Sequence, residues 1–203
     1  MSPLVVGFDL DMTLIDSRPG VIASFDALND ALGTVIDGGA IASHLGPTLE
    51  TEMAVYFPAD EIDGVCDRYR EIYAKLGPPG SCLLPGAVEA VACVRNHGGT
   101  TLVITAKYEP NAHLCLAHVG LEVDHVIGWR HGPQKGETLL HHGAHAYVGD
   151  TIPDIEAAQL AHAHAIGVAT GPVSADELRT AGAHTVMNTL LEFPAWLNGF
   201  SPA

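Results

Sequence analysis

Residues 4–13 read LVVGFDLDMT. A continuous apolar run stops at two aspartates, Asp9 and Asp11, with Thr13 two positions further on. Unbroken apolar character over so few residues, with β-branched side chains, marks a strand buried on both faces, as in a parallel sheet. In open parallel sheets, ligands bind at the carboxyl ends of the strands. The two acids stand at such an end. Like charges placed this close repel, so the pair implies something that rewards it.

The rest of the chain reads as the sheet that this strand needs. Strands are predicted over 100–105, 123–128, 145–148, 164–168 and a short segment at 184–186. Helices are predicted over 86–97, 109–118, 135–142, 153–162, near 174–181, and over 188–197. Strands and helices alternating at this spacing mean βαβ units: an α/β fold with a doubly wound parallel sheet and helices on both faces. Residues 16–84 break the alternation. They read as helical only, with helices over 19–33, 40–55 and 60–76. The last stops at Gly77-Pro78-Pro79-Gly80, a strong breaker. We expect a core of residues 1–15 and 85–203, with 16–84 inserted after the first strand as a small helical cap.

Bulk properties exclude several classes of function. The 203 residues are 47% hydrophobic, enough for a proper core. The formal net charge is −15 with only nine Lys and Arg, so no basic patch exists for nucleic acid and an anionic membrane would repel the chain. No apolar stretch is long enough to span a bilayer, and MSPLVVGFD lacks the basic lead and cleavage site of a signal peptide. Cys66, Cys82, Cys93 and Cys115 form no CxxC pair and read as free thiols, which together with the missing signal suggests the cytoplasm. The twelve histidines show no HExxH and no zinc spacing.

The strand ends carry the chemistry. After Asp9 and Asp11 come Thr105, Gly128 and Gly149-Asp150, with Lys135 opening a helix and Asp154 one turn past Asp150. Asp9, Asp150 and Asp154 offer hard oxygen ligands suited to Mg²⁺, which keeps room for water or phosphate oxygens. Lys135 is the one basic residue expected at the site. Three carboxylates, one Mg²⁺ and one ammonium come out near neutral with Asp11 protonated, so a phosphate dianion can bind locally to an acidic protein. The Thr105 hydroxyl and the N–H of Ala106 can donate to a phosphoryl oxygen. Asp9 is placed to attack phosphorus, and Asp11, on the same side of an extended chain, to move the proton.

These residues resemble the motifs of the haloacid dehalogenase superfamily. FDLDMTLIDS resembles the first motif, LVIT ending in Thr105 the second, Lys135 in QKGETL the third, and YVGDTIPD the fourth. The four occur in order across nearly the whole chain. LPGAVEAV and DHVIG, followed by Lys135, resemble phosphoglycolate phosphatase-like members. The resemblance implies a Rossmann-like core with a type 1 helical cap. It implies Mg²⁺ held by Asp9, the Asp11 backbone carbonyl and Asp150, with Asp154 in support, directly or through water. It also implies Asp9 as nucleophile and Asp11 as general acid and base, acting on a small phosphorylated metabolite. Met12 stands where the family usually has glycine; an ordinary backbone is expected there, with the side chain packed near the cap.

In the insertion, HLGPTLE at 44–50 resembles a cap loop facing the active site, with Gly46, Pro47 and Thr48 as substrate contacts; it reads equally as a helix start with Pro47 in the first turn and Glu50 as capping partner. Thr13, Arg18 and Lys107 are further candidate substrate contacts; Arg18 and Lys107 are also readable as surface charges, as are Arg68 and Arg70 in the last insert helix. Thr13 favours hydrolysis over a phosphomutase on the same scaffold, since mutase relatives often carry Val there. A receiver-like phospho-acceptor and a non-catalytic binding module are the remaining alternatives.

Overall fold

The computed structural model describes residues 3–201. Strand β1 (Val5–Phe8) is followed by β2 (Ile15–Asp16), four helices and β3 (Cys82–Leu83). The helices are α1 (Arg18–Leu32), α2 (Gly38–Ala42), α3 (Leu49–Met53) and α4 (Ile62–Leu76). Then come α5 (Ala87–Asn96), β4 (Thr100–Ile104), α6 (Glu109–Val119), β5 (His125–Ile127), α7 (Pro133–His141), β6 (Ala146–Gly149), α8 (Ile152–Leu160), β7 (His164–Val168), α9 (Ala175–Thr180), β8 (Thr185–Met187) and α10 (Phe193–Gly199).

Six strands form one sheet in the order β5-β4-β1-β6-β7-β8, every neighbouring pair parallel. Side chains alternate between its two faces, as the pleat requires. Val6, Phe8, Val103, Val148 and Ile166 join one apolar cluster, which includes residues of α5, α6 and α10. Leu102, Ile104, Tyr147 and Ala165 join a second, with residues of α7, α8 and α9. Both faces are therefore covered, which is why the strands read as unbroken apolar runs. From β1 the chain builds outward through β4 and β5, then returns to lay β6 on the other side of β1. The strand order reverses around β1, so Asp9 leaves the sheet at its switch point, between the ends of β4 and β6.

The helical insert shares the first cluster: Phe25, Leu28, Met53, Cys66, Tyr69 and Tyr73 belong to the same buried set as the sheet residues. It leaves and rejoins the core through β2 and β3, which pair antiparallel. That two-residue ladder is too short to show any periodicity and was not expected. The helix expected over 40–55 is instead two short helices. Gly46 and Pro47 separate them, with Gly46 at φ 153, and Thr48 starts the second by accepting from the Thr51 N–H. No helix among the described residues is long and apolar enough to cross a membrane. The four cysteines are free thiols.

Candidate active site

Asp9, Asp150 and Asp154 meet at the carboxyl end of the sheet. One oxygen from each lies within 4.8 Å of the others, and all three residues are buried. Lys135, in the first turn of α7, reaches across to them. Its Nζ donates to Asp9 Oδ1 and to Asp154 Oδ1, each at 2.7 Å. Asp154 is the most fully bonded of the acids. Its Oδ2 accepts from the Thr151 N–H at 3.1 Å and hydroxyl at 2.6 Å, capping the start of α8. Asp150 Oδ1 accepts from Thr13 Oγ1 at 2.8 Å, whereas its Oδ2 is buried with no hydrogen-bond partner.

A buried carboxylate oxygen without a donor is costly. Three carboxylates against one ammonium leave two negative charges, which one divalent cation cancels. The donors are hard oxygens, so the residues present fit a hard divalent metal ion. The local electrostatics carry the same strain. Burial pushes the Asp9 carboxyl up to about 7 against the pull of Lys135. Burial, then the neighbouring Asp9 and Asp154, holds Asp150 well above the usual carboxylate range. Burial draws the Lys135 ammonium down, but Asp154 and Asp9 outweigh it and keep it firmly protonated.

Asp11 lies beside this group with partners of its own. Its Oδ1 accepts from Ser17 Oγ and lies 3.0 Å from Lys107 Nζ. Lys107, read either as a substrate contact or as a surface charge, is a second cation at the site. It is partly buried, over the Tyr73 ring at 4.3 Å and 3.0 Å from the Tyr73 hydroxyl. Thr105 is buried at the end of β4, and its hydroxyl accepts from the Lys107 N–H. The N–H groups of Leu10, Asp11 and Ala106 meet no acceptor among the described residues, leaving donors beside Asp9.

Asp9, Asp11, Thr105, Ala106, Lys107 and Lys135 all line one cavity, which the insert covers. Gly46 and Pro47 line it as well, while Thr48 is spent on capping α3. Thr13 does not line it; the residue is fully buried and serves Asp150. Arg18 points elsewhere, gripping Asp16 through Nε at 2.9 Å and Nη2 at 2.6 Å. Arg68 pairs with Glu71 in solvent, but Arg70 faces the cavity, bound to Glu50 and to Asp67.

Met12 corrects an expectation. Its φ is 60, left-handed rather than ordinary. The side chain is buried and does not line the cavity. The backbone there is held by Met12 N–H to Ile15 O at 2.7 Å and by Thr170 Oγ1 to Met12 O at 2.5 Å. Thr170 and Gly171, just past β7, were overlooked; the strand-end rule that singled out Thr105 and Asp150 applies to them equally.

The family model for haloacid dehalogenase-like hydrolases matches residues 6–165. The chain is 30% identical to the probable phosphatase IndB of Dickeya dadantii, over 95% of this chain and 92% of that protein. It is 29% identical to a phosphoglycolate phosphatase of Chromobacterium violaceum, over 92% and 93%. A stretch covering 60% of the chain is 32% identical to the tyrosine-protein kinase PtkA of Mycobacterium tuberculosis, of which it spans 42%. In fold it resembles a haloacid dehalogenase-like family protein of Streptococcus pneumoniae, with a TM-score of 0.81, 21% identity, and 97% and 99% of the two chains covered. The chain belongs to the haloacid dehalogenase-like hydrolases, and within them to the phosphatase type that resembles phosphoglycolate phosphatases.

Proposed function

We propose that the chain is a Mg²⁺-dependent phosphatase that hydrolyses a small phosphate monoester by way of an aspartyl phosphate on Asp9. The observation that carries this reading is the pairing of Lys135 with Asp9 and Asp154 beside a buried Asp150 oxygen that lacks any donor. Asp9, the Asp11 carbonyl and Asp150 would hold the ion, with Asp154 in support. Bound there, it would neutralise charge on the phosphoryl oxygens.

The chain's own groups do the rest. The Thr105 hydroxyl, the Ala106 N–H and the Lys135 ammonium hold the phosphoryl oxygens, and the Lys135–Asp9 bond fixes the nucleophile's direction. An Asp9 oxygen attacks phosphorus while the ester P–O bond breaks, and Asp11 gives its proton to the departing alkoxide. Asp11 then takes a proton from the water that attacks the acyl phosphate, freeing inorganic phosphate and restoring Asp9. The ion pair with Lys107 suits the second half, when Asp11 works as a base. Its acid form needs that pair loosened, and the Tyr73 hydroxyl is already in reach of Lys107 as a substitute partner. We read residues 16–84 as a cap that closes the cavity, joined to the core through β2 and β3.

Phosphate release from p-nitrophenyl phosphate tests the reading. Release is expected with Mg²⁺ and lost with EDTA. Asp9→Asn is expected to lower it at least about a thousandfold with the fold retained by circular dichroism; near-normal release in that variant would show the nucleophile to be misassigned. With Asp11→Asn and an activated ester, rapid-quench labelling is expected to trap phosphoenzyme.

A further inference from the structure

Beyond Asp9 and Asp11 the cavity is walled by the insert and by the loops after β4 and β5, and the charges that line it are already matched. Lys135 is held by Asp9 and Asp154, and Lys107 by Asp11. Arg70 is held by both Glu50 and Asp67. Glu52, also on the wall, has only His44 beside it, at 3.2 Å. Among the described residues the one further basic group there is His131, an imidazole rather than a permanent cation. Around Arg70 and Glu52 the carboxylates thus outnumber the cations.

The same wall is rich in aromatic surface. Tyr108 and Trp129 pack with ring centroids 4.9 Å apart, and the Arg70 guanidinium lies 5.5 and 5.3 Å from them. Phe25 and Tyr69 face the cavity from the insert, 4.4 Å apart. Rings of this kind favour flat apolar groups. Arg70 Nε is buried with no acceptor, and a neutral oxygen would satisfy it without bringing a third negative charge to the guanidinium.

We infer that, if the chain is the phosphatase proposed above, its substrate is the phosphate ester of an uncharged, ring-bearing alcohol, and that esters with a carboxylate tail are disfavoured. A carboxylate seated beside Arg70 finds that cation already matched by Glu50 and Asp67, loses its water, and meets Glu50 and Glu52. A neutral ring loses little on desolvation and gains the aromatic wall.

The test compares 2-phenylethyl phosphate, ethyl phosphate and phosphoglycolate, each with Mg²⁺ and the full chain, by phosphate release. The expected order of kcat/KM is phenylethyl, ethyl, then phosphoglycolate, with about tenfold or more between the first and last. Phosphoglycolate turned over as well as ethyl phosphate, or no gain from the phenyl ring, would overturn the inference while leaving the phosphatase reading intact. No release from these esters or from p-nitrophenyl phosphate would overturn the phosphatase reading, and the inference with it. The paired change Glu50→Gln with Glu52→Gln is expected to raise phosphoglycolate relative to phenylethyl phosphate by about threefold or more; an unchanged ratio would sink the charge-based part.

Discussion

Gly171 packs directly on Asp150: a β-carbon built on it would overlap the carboxylate oxygen Oδ2. Its neighbour Thr170 holds the Met12 carbonyl. The loop after β7 therefore braces both the acid that ends β6 and the turn that follows Asp9. Gly171→Ala forces the Asp150 carboxylate to move, because a side chain next to a buried oxygen has nowhere else to yield. We expect the Mg²⁺ concentration for half-maximal phosphate release to rise about tenfold or more, with a stability loss of about 1–3 kcal/mol from overpacking. A Mg²⁺ titration beside a thermal melt separates the two; an unchanged Mg²⁺ requirement would show that Asp150 does not hold the ion.

Lys135 is the cation on which three buried acids depend in the metal-free chain. Lys135→Met keeps the stem and removes the charge. Breaking a buried ion pair typically costs about 3–5 kcal/mol, but Asp9 and Asp150 can shed part of that by taking protons. The loss is expected near 3 kcal/mol at about pH 8, where protonation is hardest, and smaller near pH 6. Mg²⁺ should recover part of it by binding only the folded chain. Urea titrations at both pH values, with and without Mg²⁺, check this; a loss that does not grow with pH would show that the acids hold no net charge together.

How much of this was legible follows from which forces place each residue. Asp9, Asp11, Thr105 and Asp150 end strands, and Lys135 and Asp154 sit in first helical turns, so backbone geometry alone brings them to one end of the sheet. Whether Lys107 and Arg70 are site residues or surface charges, and that Tyr73 joins them, is decided by packing between insert and core, where side-chain burial rules and no local period announces the outcome. The split of 40–55 was visible in principle: Gly46-Pro47 is the same kind of breaker as Gly77-Pro78. The β2–β3 pair has two residues per strand, too few for any alternation to register.

The metal-free site should lose stability as pH rises. The folded Asp9 carboxyl lies near 7, above its ordinary 3.8. A raised acid contributes stability that is fully present below 3.8 and is lost as pH rises through about 7. Asp150 is raised as well and has the same sign. His164 works the other way, since burial lowers its imidazole and costs stability in acid. Comparison with Asp9→Asn cancels that background. Measured without metal, wild type minus variant stability is expected to fall between about pH 5 and pH 8. Mg²⁺ should displace protons on binding, so its affinity for wild type rises over the same range. Calorimetry in buffers of different ionisation enthalpy reads the proton release directly; none at pH 7 would mean that Asp9 is already ionised without the ion.

Met12 sets strain against burial at one position. A left-handed φ of 60 costs a non-glycine residue about 1–2 kcal/mol. Yet the side chain is only 3% exposed, and burying a methionine contributes about 1.5–3 kcal/mol. Glycine relieves the strain but forfeits the burial, and it gives the unfolded chain about 0.5–1 kcal/mol more conformational freedom. Burial and unfolded-state entropy together outweigh strain, so Met12→Gly is expected to destabilise by about 1–2 kcal/mol. Met12→Val should cost more, since a β-branched residue fits the left-handed region worse and fills less space. Urea denaturation of both variants decides it. A more stable glycine variant would mean that the turn after Asp11 is strained enough to outweigh a buried side chain.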